Sequence, residues 1–385
     1  MLELTAKTEP GARLVALAET LAQELARRAP EHDRDATFPH AGVEALKRAG
    51  YFTAPIPSEL GGLGVTSVHD VVVASSRLAR GDASLAIGVN MHLAVMLNVT
   101  RRWLAATGER RASLGAWLEG IVRDGAVVAS AVSEFGQDLT RPGTTASRTA
   151  TGWRIDGRKA FCTGSPAATV LNTSVRYTDA RGGERYGYAT VPRDAPGVEI
   201  HGDWDALGMR ASGSHSVSFN GVEVPAHAIG GGFAIGDSEA YMQRNLIAGL
   251  FHASASLGIA EGAAAHAVRG EPSARTRTLL AENAIELAAA RATLARAATL
   301  VDEYGAELIT LFAEAQAAKA FVNEAAARIV DRALALSGGA GYFNGHPLSR
   351  AYRDVRAGSF MHPLGANRAY DLLGDVALGR APVLH

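Results

Sequence analysis

The 385-residue chain is 47% hydrophobic and 20% charged, with a formal net charge of −1. That suffices for a large core in two or three domains, and the dispersed charge gives no reason to expect nucleic acid or an anionic membrane as partner. Its one cysteine, Cys162, excludes a disulfide framework and a cysteine-built metal site, and no apolar run or secretory leader appears, so a cytoplasmic protein without a metal is expected.

Residues 1–125 read as helical. Leu14, Leu17, Leu21 and Leu25 repeat at spacings of three and four, one stripe of an amphipathic helix. A second helix is expected over 39–49, closed by Gly50, and two more over 67–80 and 84–106. From 126 to 235 the pattern turns to strands. Runs around Trp153-Ile155, Val170–Val175, Tyr186–Val191, Val198–Ile200 and Val217–Val224 alternate and are punctuated by Gly, Pro and Asp, which predicts a small antiparallel barrel or sandwich. Residues 236–385 become rich in Ala, Leu and Glu. Helices over 238–268, 276–303, 308–337 and 364–378 predict a four-helix bundle.

Several segments recur in the order a known family uses. Pro57-Ser58-Glu59-Leu60-Gly61-Gly62 forms a proline–glycine loop, and Asp82-Ala83-Ser84 opens a helix. Ser133-Glu134 and Asp156-Gly157-Arg158-Lys159-Ala160-Phe161-Cys162-Thr163-Gly164 lie in the strand-rich part. Gly208-Met209-Arg210-Ala211-Ser212 and Val222-Glu223-Val224-Pro225 follow. Ser337-Gly338-Gly339-Ala340-Gly341-Tyr342 and Arg353-Asp354 end the series. Together they resemble the acyl-CoA dehydrogenase superfamily along nearly the whole chain. The resemblance implies a mostly α fold with a central β-domain, a bound flavin (FAD or FMN) and a homotetramer or dimer.

A flavin needs a flat apolar slot with hydrogen-bonding groups at one edge. On the resemblance, Phe161 packs on the ring, Thr163 meets its N5 edge, Ser133 meets the pyrimidine side, and Gly338 and Gly339 allow close backbone approach.

The chain departs from a dehydrogenase at the base. The family's glutamate stands either just past Arg-Asp or at the start of the first bundle helix. Here those positions read His362 and Gln243-Arg244. The segment Arg269-Gly270-Glu271-Pro272-Ser273 also lacks the Phe-Gly pair that grips FAD in relatives, which makes FMN plausible. These departures resemble the flavin-dependent monooxygenase branch typified by dibenzothiophene monooxygenase. Its features match His92 on an N-terminal helix, Phe161 to Gly164, Asp203 to Arg210, and His362-Pro363.

The resulting expectation is a two-component monooxygenase that takes reduced flavin from a separate reductase and oxidises a small apolar or aromatic substrate. His92, His362 and Thr163 are its candidate catalytic groups, with His252 a lesser one. Met91, Met96 and Phe360 are candidate pocket residues, and Arg244 and Arg353 are read as structural ion pairs. For either histidine, packing or capping is the competing explanation. The alternative is an acyl-CoA or acyl-carrier-protein dehydrogenase whose base is His362 or Glu239. A silent assembly subunit is a third reading, against which the aromatic-threonine edge argues.

Overall fold

The computed structural model describes residues 2–136, 138, 140–267, 273–303, 305–382 and 384. Helices α1 (Glu9–Ala26), α2 (Ala29–Asp35), α3 (His40–Arg48), α4 (Val68–Gly81), α5 (Ala83–Ala105) and α6 (Gly108–Asp124) come first. The leucine stripe of α1 is buried at Leu14, Leu21 and Leu25. Side chains of Thr8, Ser67 and Asp82 cap α1, α4 and α5 by accepting first-turn N–H groups. Sequence pattern alone misses α2 and α6. The first has seven residues, and α6 buries only Gly115, Leu118 and Ile121, too sparse a stripe to read.

Strands β1 (Val128–Ala131), β2 (Thr145–Arg148), β3 (Gly152–Cys162), β4 (Val170–Thr178), β5 (Glu184–Pro192), β6 (Val198–Ile200), β7 (His215–Pro225) and β8 (Ile229–Ala234) form one sheet. Its order is β6-β7-β3-β2-β4-β5-β8. The expected all-antiparallel arrangement needs correction: β1 and β2 both run parallel to β4, in registers Val128↔Val170 and Thr145↔Arg176. A hairpin forces antiparallel pairing only between chain neighbours. The chain reaches β4 from β1 only after β2 and β3, so no hairpin constrains it. Ile155, Leu171, Val175, Val191, Val217 and Phe219 give this sheet its own core.

The chain ends in α7 (Ser238–Asn245), α8 (Ala248–Ala265), α9 (Ala274–Glu303), α10 (Leu308–Ser337), α11 (Pro347–Asp354) and α12 (Ala366–Ala377). The single helix expected over 238–268 is broken between α7 and α8, and α11 is additional. The segment 268–272 lies outside the described residues, so the Phe-Gly departure has no structural reading there. α8, α9 and α10 pack together, and α12 lies on α10. α4 packs on both α1 and α8, so the first and last helical parts share one core. A Cβ at Gly258 would stand 2.3 Å from the Ser76 carbonyl oxygen, so glycine sets how closely α8 lies on α4.

That junction also holds charge. The buried Glu261 of α8 accepts from Arg291 of α9 at 2.7 Å, and it pairs with Arg80 (2.8 Å) and Arg77 (3.4 Å) of α4. Arg77 in turn meets Glu19 of α1 at 3.1 Å. Helices α5 and α7–α8 are long and apolar enough to cross a membrane, but most of each is buried in this core.

Candidate active site

A single large cavity runs between α5 and α6, the sheet, and the α7–α8 and 353–362 segments, enclosing about 1820 Å³. One small ligand typically occupies about 300–1,000 Å³, so this space admits two.

At its inner end β3 presents Phe161 in a left-handed backbone conformation (φ 56°), an outlier for an aromatic residue that costs about 1–3 kcal/mol. The conformation turns the ring out of the sheet. Phe161 is half exposed, with Trp204 and Phe135 edge-on at centroid distances of 6.1 and 5.7 Å. Beside it Thr163 Oγ1 lies 2.9 Å from Ser214 Oγ, which lies 2.7 Å from Ser212 Oγ. This chain of three hydroxyls lines the cavity wall, as does Ser133, whose carbonyl accepts the Ala160 N–H at 2.8 Å. Cys162 points the other way into the sheet core, where burial pushes its thiol up to about 12.

Opposite this wall, His362 opens partly onto the cavity and its Nε2 lies 2.8 Å from Asn245 Oδ1. The Asn245 amide N–H₂ donates to the Tyr241 carbonyl at 2.9 Å, which turns Oδ1 toward the imidazole. His362 therefore carries its proton on Nε2 and keeps a lone pair on Nδ1. Its pKa is lowered to about 3 by desolvation and by the nearby Lys319 and Arg244 cations, so the ring is neutral near pH 7.

His252, one helix along, is buried and lines the cavity with both ring nitrogens unpartnered. Lys319 donates to the Met361 and Leu364 carbonyls, the latter at 2.6 Å, and pins the loop that carries His362. Burial lowers its ammonium to about 7.

Other sequence candidates fall elsewhere. His92 is fully buried, its Nδ1 accepting the Val128 N–H and its Nε2 donating to the Phe52 carbonyl, both at 3.0 Å. With both nitrogens committed to backbone, it links α5 to β1 and the 51–53 turn and is not placed for catalysis. Met91 lines the cavity, whereas Met96 is core. Residues five apart on a helix point about 140° from each other, so only one of the two can face the space.

Phe360 stands exposed at the rim. Gly338 and Gly339 form an exposed turn outside the cavity wall, with open space around both. Within this subunit they do not approach a flavin at Phe161.

The Arg-Asp signature is used in packing. Arg353 forks Asp33 at 2.8 and 2.5 Å, and the buried Asp354 accepts the Met209 N–H at 2.6 Å, with burial pushing its acid up to about 7. A Cβ at Gly208 would sit 2.2 Å from the Arg353 carbonyl oxygen, so the 208–212 loop can only meet α11 through glycine. Arg244 makes no ion pair among the described residues. It stacks 3.3 Å above the Tyr188 ring and donates to Asn172 Oδ1 at 2.7 Å. Asn245, Lys319 and Ser214 escape sequence reasoning because no motif marks them, and Ser212, which ends the Gly208–Ser212 segment, is given no role by it.

A flavin suits the inner end. An outward aromatic ring, a hydroxyl chain and an imidazole with two unpartnered nitrogens offer one stacking surface and several polar atoms to a flat heterocycle.

His92 also sets a pH dependence. Burial lowers its pKa to about 4 against 6.5 when unfolded. Between those values the unfolded state binds more protons, so the stability His92 contributes is complete above pH 6.5 and is lost as pH falls toward 4. The loss amounts to about 3 kcal/mol. Chemical denaturation at pH 7 and pH 4.5 should show the decline, and His92→Gln should flatten it. An unchanged slope in that variant would refute the assignment.

Comparison with known proteins agrees with this geometry. Residues 14–107, 129–222 and 251–367 match the N-terminal, middle and C-terminal domains of acyl-CoA dehydrogenase. The chain is 36% identical over 391 residues to the amino sugar nitrososynthase RubN8 of Streptomyces rubradiris, covering 97% of this chain and 92% of that one. KijD3, solved with FMN and dTDP-3-amino-2,3,6-trideoxy-4-keto-3-methyl-D-glucose, superposes with a TM-score of 0.91 at 32% identity over 99% and 97% of the two chains. FMN-bound TdsC from Paenibacillus sp. A11-2 superposes with a TM-score of 0.86 at 27% identity over 97% and 99%. With its three family domains in order and a flavin-compatible wall between them, this chain belongs to the acyl-CoA dehydrogenase superfamily of flavoenzymes.

Proposed function

We propose that the protein is a flavin-dependent monooxygenase that oxidises the amino group of an amino sugar. The observation that carries this reading is the polar cluster opposite Phe161: neutral His362 with its proton fixed on Nε2, backed by Lys319, His252 and Arg244. Abstraction of a carbon-bound proton wants a carboxylate or a stronger base, and an imidazole titrating near 3 is neither. Glu239, the other candidate base, also lines the cavity but stays exposed in the first turn of α7, where water keeps it solvated.

The same cluster suits an amine. Neighbouring cations disfavour an ammonium ion and hold the nitrogen as the neutral nucleophile. His362 Nδ1 then accepts an N–H hydrogen bond and aims the nitrogen lone pair at the Phe161 side. Thr163 and Ser214 supply hydroxyls that donate or accept at that wall.

Reduced flavin, when bound there, supplies two electrons to O₂, so that one oxygen atom enters the substrate and the other leaves as water. For an amine the balance is R–NH₂ plus O₂, two electrons and two protons giving R–NHOH plus H₂O. We read an amino sugar in place of the small apolar or aromatic substrate expected from sequence because cations as well as apolar groups line the space. The similarity to KijD3 and RubN8 supports the amino sugar. A separate reductase as the source of reduced flavin remains part of the proposal, as does a homo-oligomer. The exposed Tyr342 and Phe343 beside the Gly338-Gly339 turn support the latter.

Rapid mixing of the anaerobically reduced, flavin-loaded protein with oxygen tests the reading. A clear lag between loss of reduced-flavin absorbance and return of the oxidised spectrum, shortened by an amino sugar, is expected. Immediate reoxidation together with bleaching of oxidised flavin by an acyl-CoA would overturn it and restore the dehydrogenase.

A further inference from the structure

Two bundle helices meet along a polar seam. On α8, Gly249, His252 and Ser256 recur at i, i+3 and i+7, one face of a helix, and on α10 Gln316, Lys319 and Asn323 do the same. The two faces touch. A Cβ at Gly249 would stand 3.1 Å from Gln316 Nε2 and 3.4 Å from Lys319 Cδ. One at Gly358 would stand 2.7 Å from Asn323 Cγ and 3.0 Å from Ser256 Oγ. The Gly358 carbonyl accepts the Asn323 amide N–H at 2.8 Å and closes the far end, next to the exposed Ser359. At the near end His252 lines the cavity.

His252, Ser256, Gln316, Lys319 and Asn323 are all buried, in helices whose other buried positions are mostly Ala, Leu, Ile, Val and Phe. Both ring nitrogens of His252, both amide atoms of Gln316 and Oδ1 of Asn323 have no hydrogen-bond partner among the described residues. They are five of the eleven buried side-chain atoms in that condition among the described residues, so the deficit gathers on one seam. A buried donor or acceptor left unpaired costs its full desolvation, and native cores meet such groups with internal water. Each internal water makes about three hydrogen bonds, and a seam of this composition offers them.

We propose that the seam holds a chain of ordered waters that carries protons from the Gly358–Ser359 end to the active-site cavity, with His252 its last side chain. This inference rests on the oxygen chemistry proposed above and supplies the route for its protons. Two-electron reduction of O₂ takes up two protons, whether it ends in a hydroxylamine and water or, without substrate, in hydrogen peroxide. A hydride equivalent brings one of them, and the other must come through the protein once a ligand covers the cavity. His252 suits that task. Desolvation first, then the Lys319 and His362 charges, lowers its pKa well below the ordinary value, so the ring is neutral. A neutral imidazole gives up the hydrogen on one nitrogen while the other takes a proton from water. One proton enters from solvent for each one delivered, and the ring ends neutral with its tautomer reversed.

Gln316→Met tests the waters, because it keeps the length of the side chain and removes both polar atoms. In a dry seam it would raise the denaturation midpoint, since an apolar group replaces two unpaired atoms. With waters to hold, it should lower the midpoint. It should also slow reoxidation of the reduced, flavin-loaded protein by oxygen about tenfold, the worth of about one hydrogen bond, and enlarge the solvent deuterium isotope effect. His252→Ala should slow the same step about a hundredfold, as loss of a proton-transfer group does, and added imidazole should restore it. Thr100→Val, which removes a buried unpartnered hydroxyl on α5, should reoxidise as the parent does.

A raised midpoint in Gln316→Met with parental reoxidation overturns the proposal. So does folded, flavin-loaded His252→Ala that reoxidises at the parental rate with an unchanged isotope effect. A parent whose reduced flavin is inert to oxygen overturns the proton route together with the oxygen chemistry. None of these measurements needs an amine, so a protein that reoxidises as expected yet oxygenates no amine loses the substrate reading and keeps the seam.

Discussion

Replacing His362 with alanine is expected to lower kcat about a hundredfold at full flavin loading, the size of effect that misplacing a reacting group by an ångström produces. On the proposed function, Nδ1 of His362 is the acceptor that aims the substrate nitrogen, since its Nε2 is engaged with Asn245. Flavin affinity should change little, because the stacking ring and hydroxyl chain belong to the sheet.

Asn245→Asp gives a sharper test of the same idea. It keeps an acceptor on Nε2 but adds a negative charge that favours imidazolium. Its activity should therefore gain a limb that rises with pH, as the ring loses its proton, which the parent lacks. Parental turnover in flavin-saturated His362→Ala would remove His362 from the mechanism.

His92→Ala should do the opposite, costing stability and sparing chemistry. The substitution leaves the Val128 N–H and the Phe52 carbonyl buried without partners and opens a cavity beside Phe52. These losses together amount to about 4 kcal/mol. Denaturant melts should show that loss, with turnover per folded, flavin-loaded molecule within a few fold of the parent. Undiminished stability with collapsed turnover would return His92 to the active site.

The two histidines illustrate what this sequence discloses. Elements with a sustained period were readable: α10 runs Leu308–Ser337, as its Ala/Leu pattern indicates, and α9 begins only two residues before its expected start at 276. Short or sparsely buried helices such as α2, α6 and α11 were not, because too few turns bury apolar residues to show a period.

In the site, the Phe161–Thr163 run was legible because a strand carries it in one stretch. Which side of α5 each residue takes was readable in principle: Met91 and the pair His92 and Met96 point to different sides at 3.6 residues per turn. The tautomer of His362 was not legible, since it depends on Asn245, which lies 117 positions away in sequence.

The carboxylate of Glu261 answers to arginines on two other helices, and that fixes how this family member can change over generations. A substitution at 261 strands Arg291 and leaves Arg77 with Glu3 and Glu19 and Arg80 with Glu3, while loss of any one arginine leaves the other two in place. Arg77, Arg80 or Arg291 can therefore be exchanged singly along a lineage, whereas position 261 can move without stranding a charge only after Arg291 has moved. Sequences in which Glu261 has drifted should have lost Arg291 first, and reconstructing the order of those exchanges would reveal it as a ratchet.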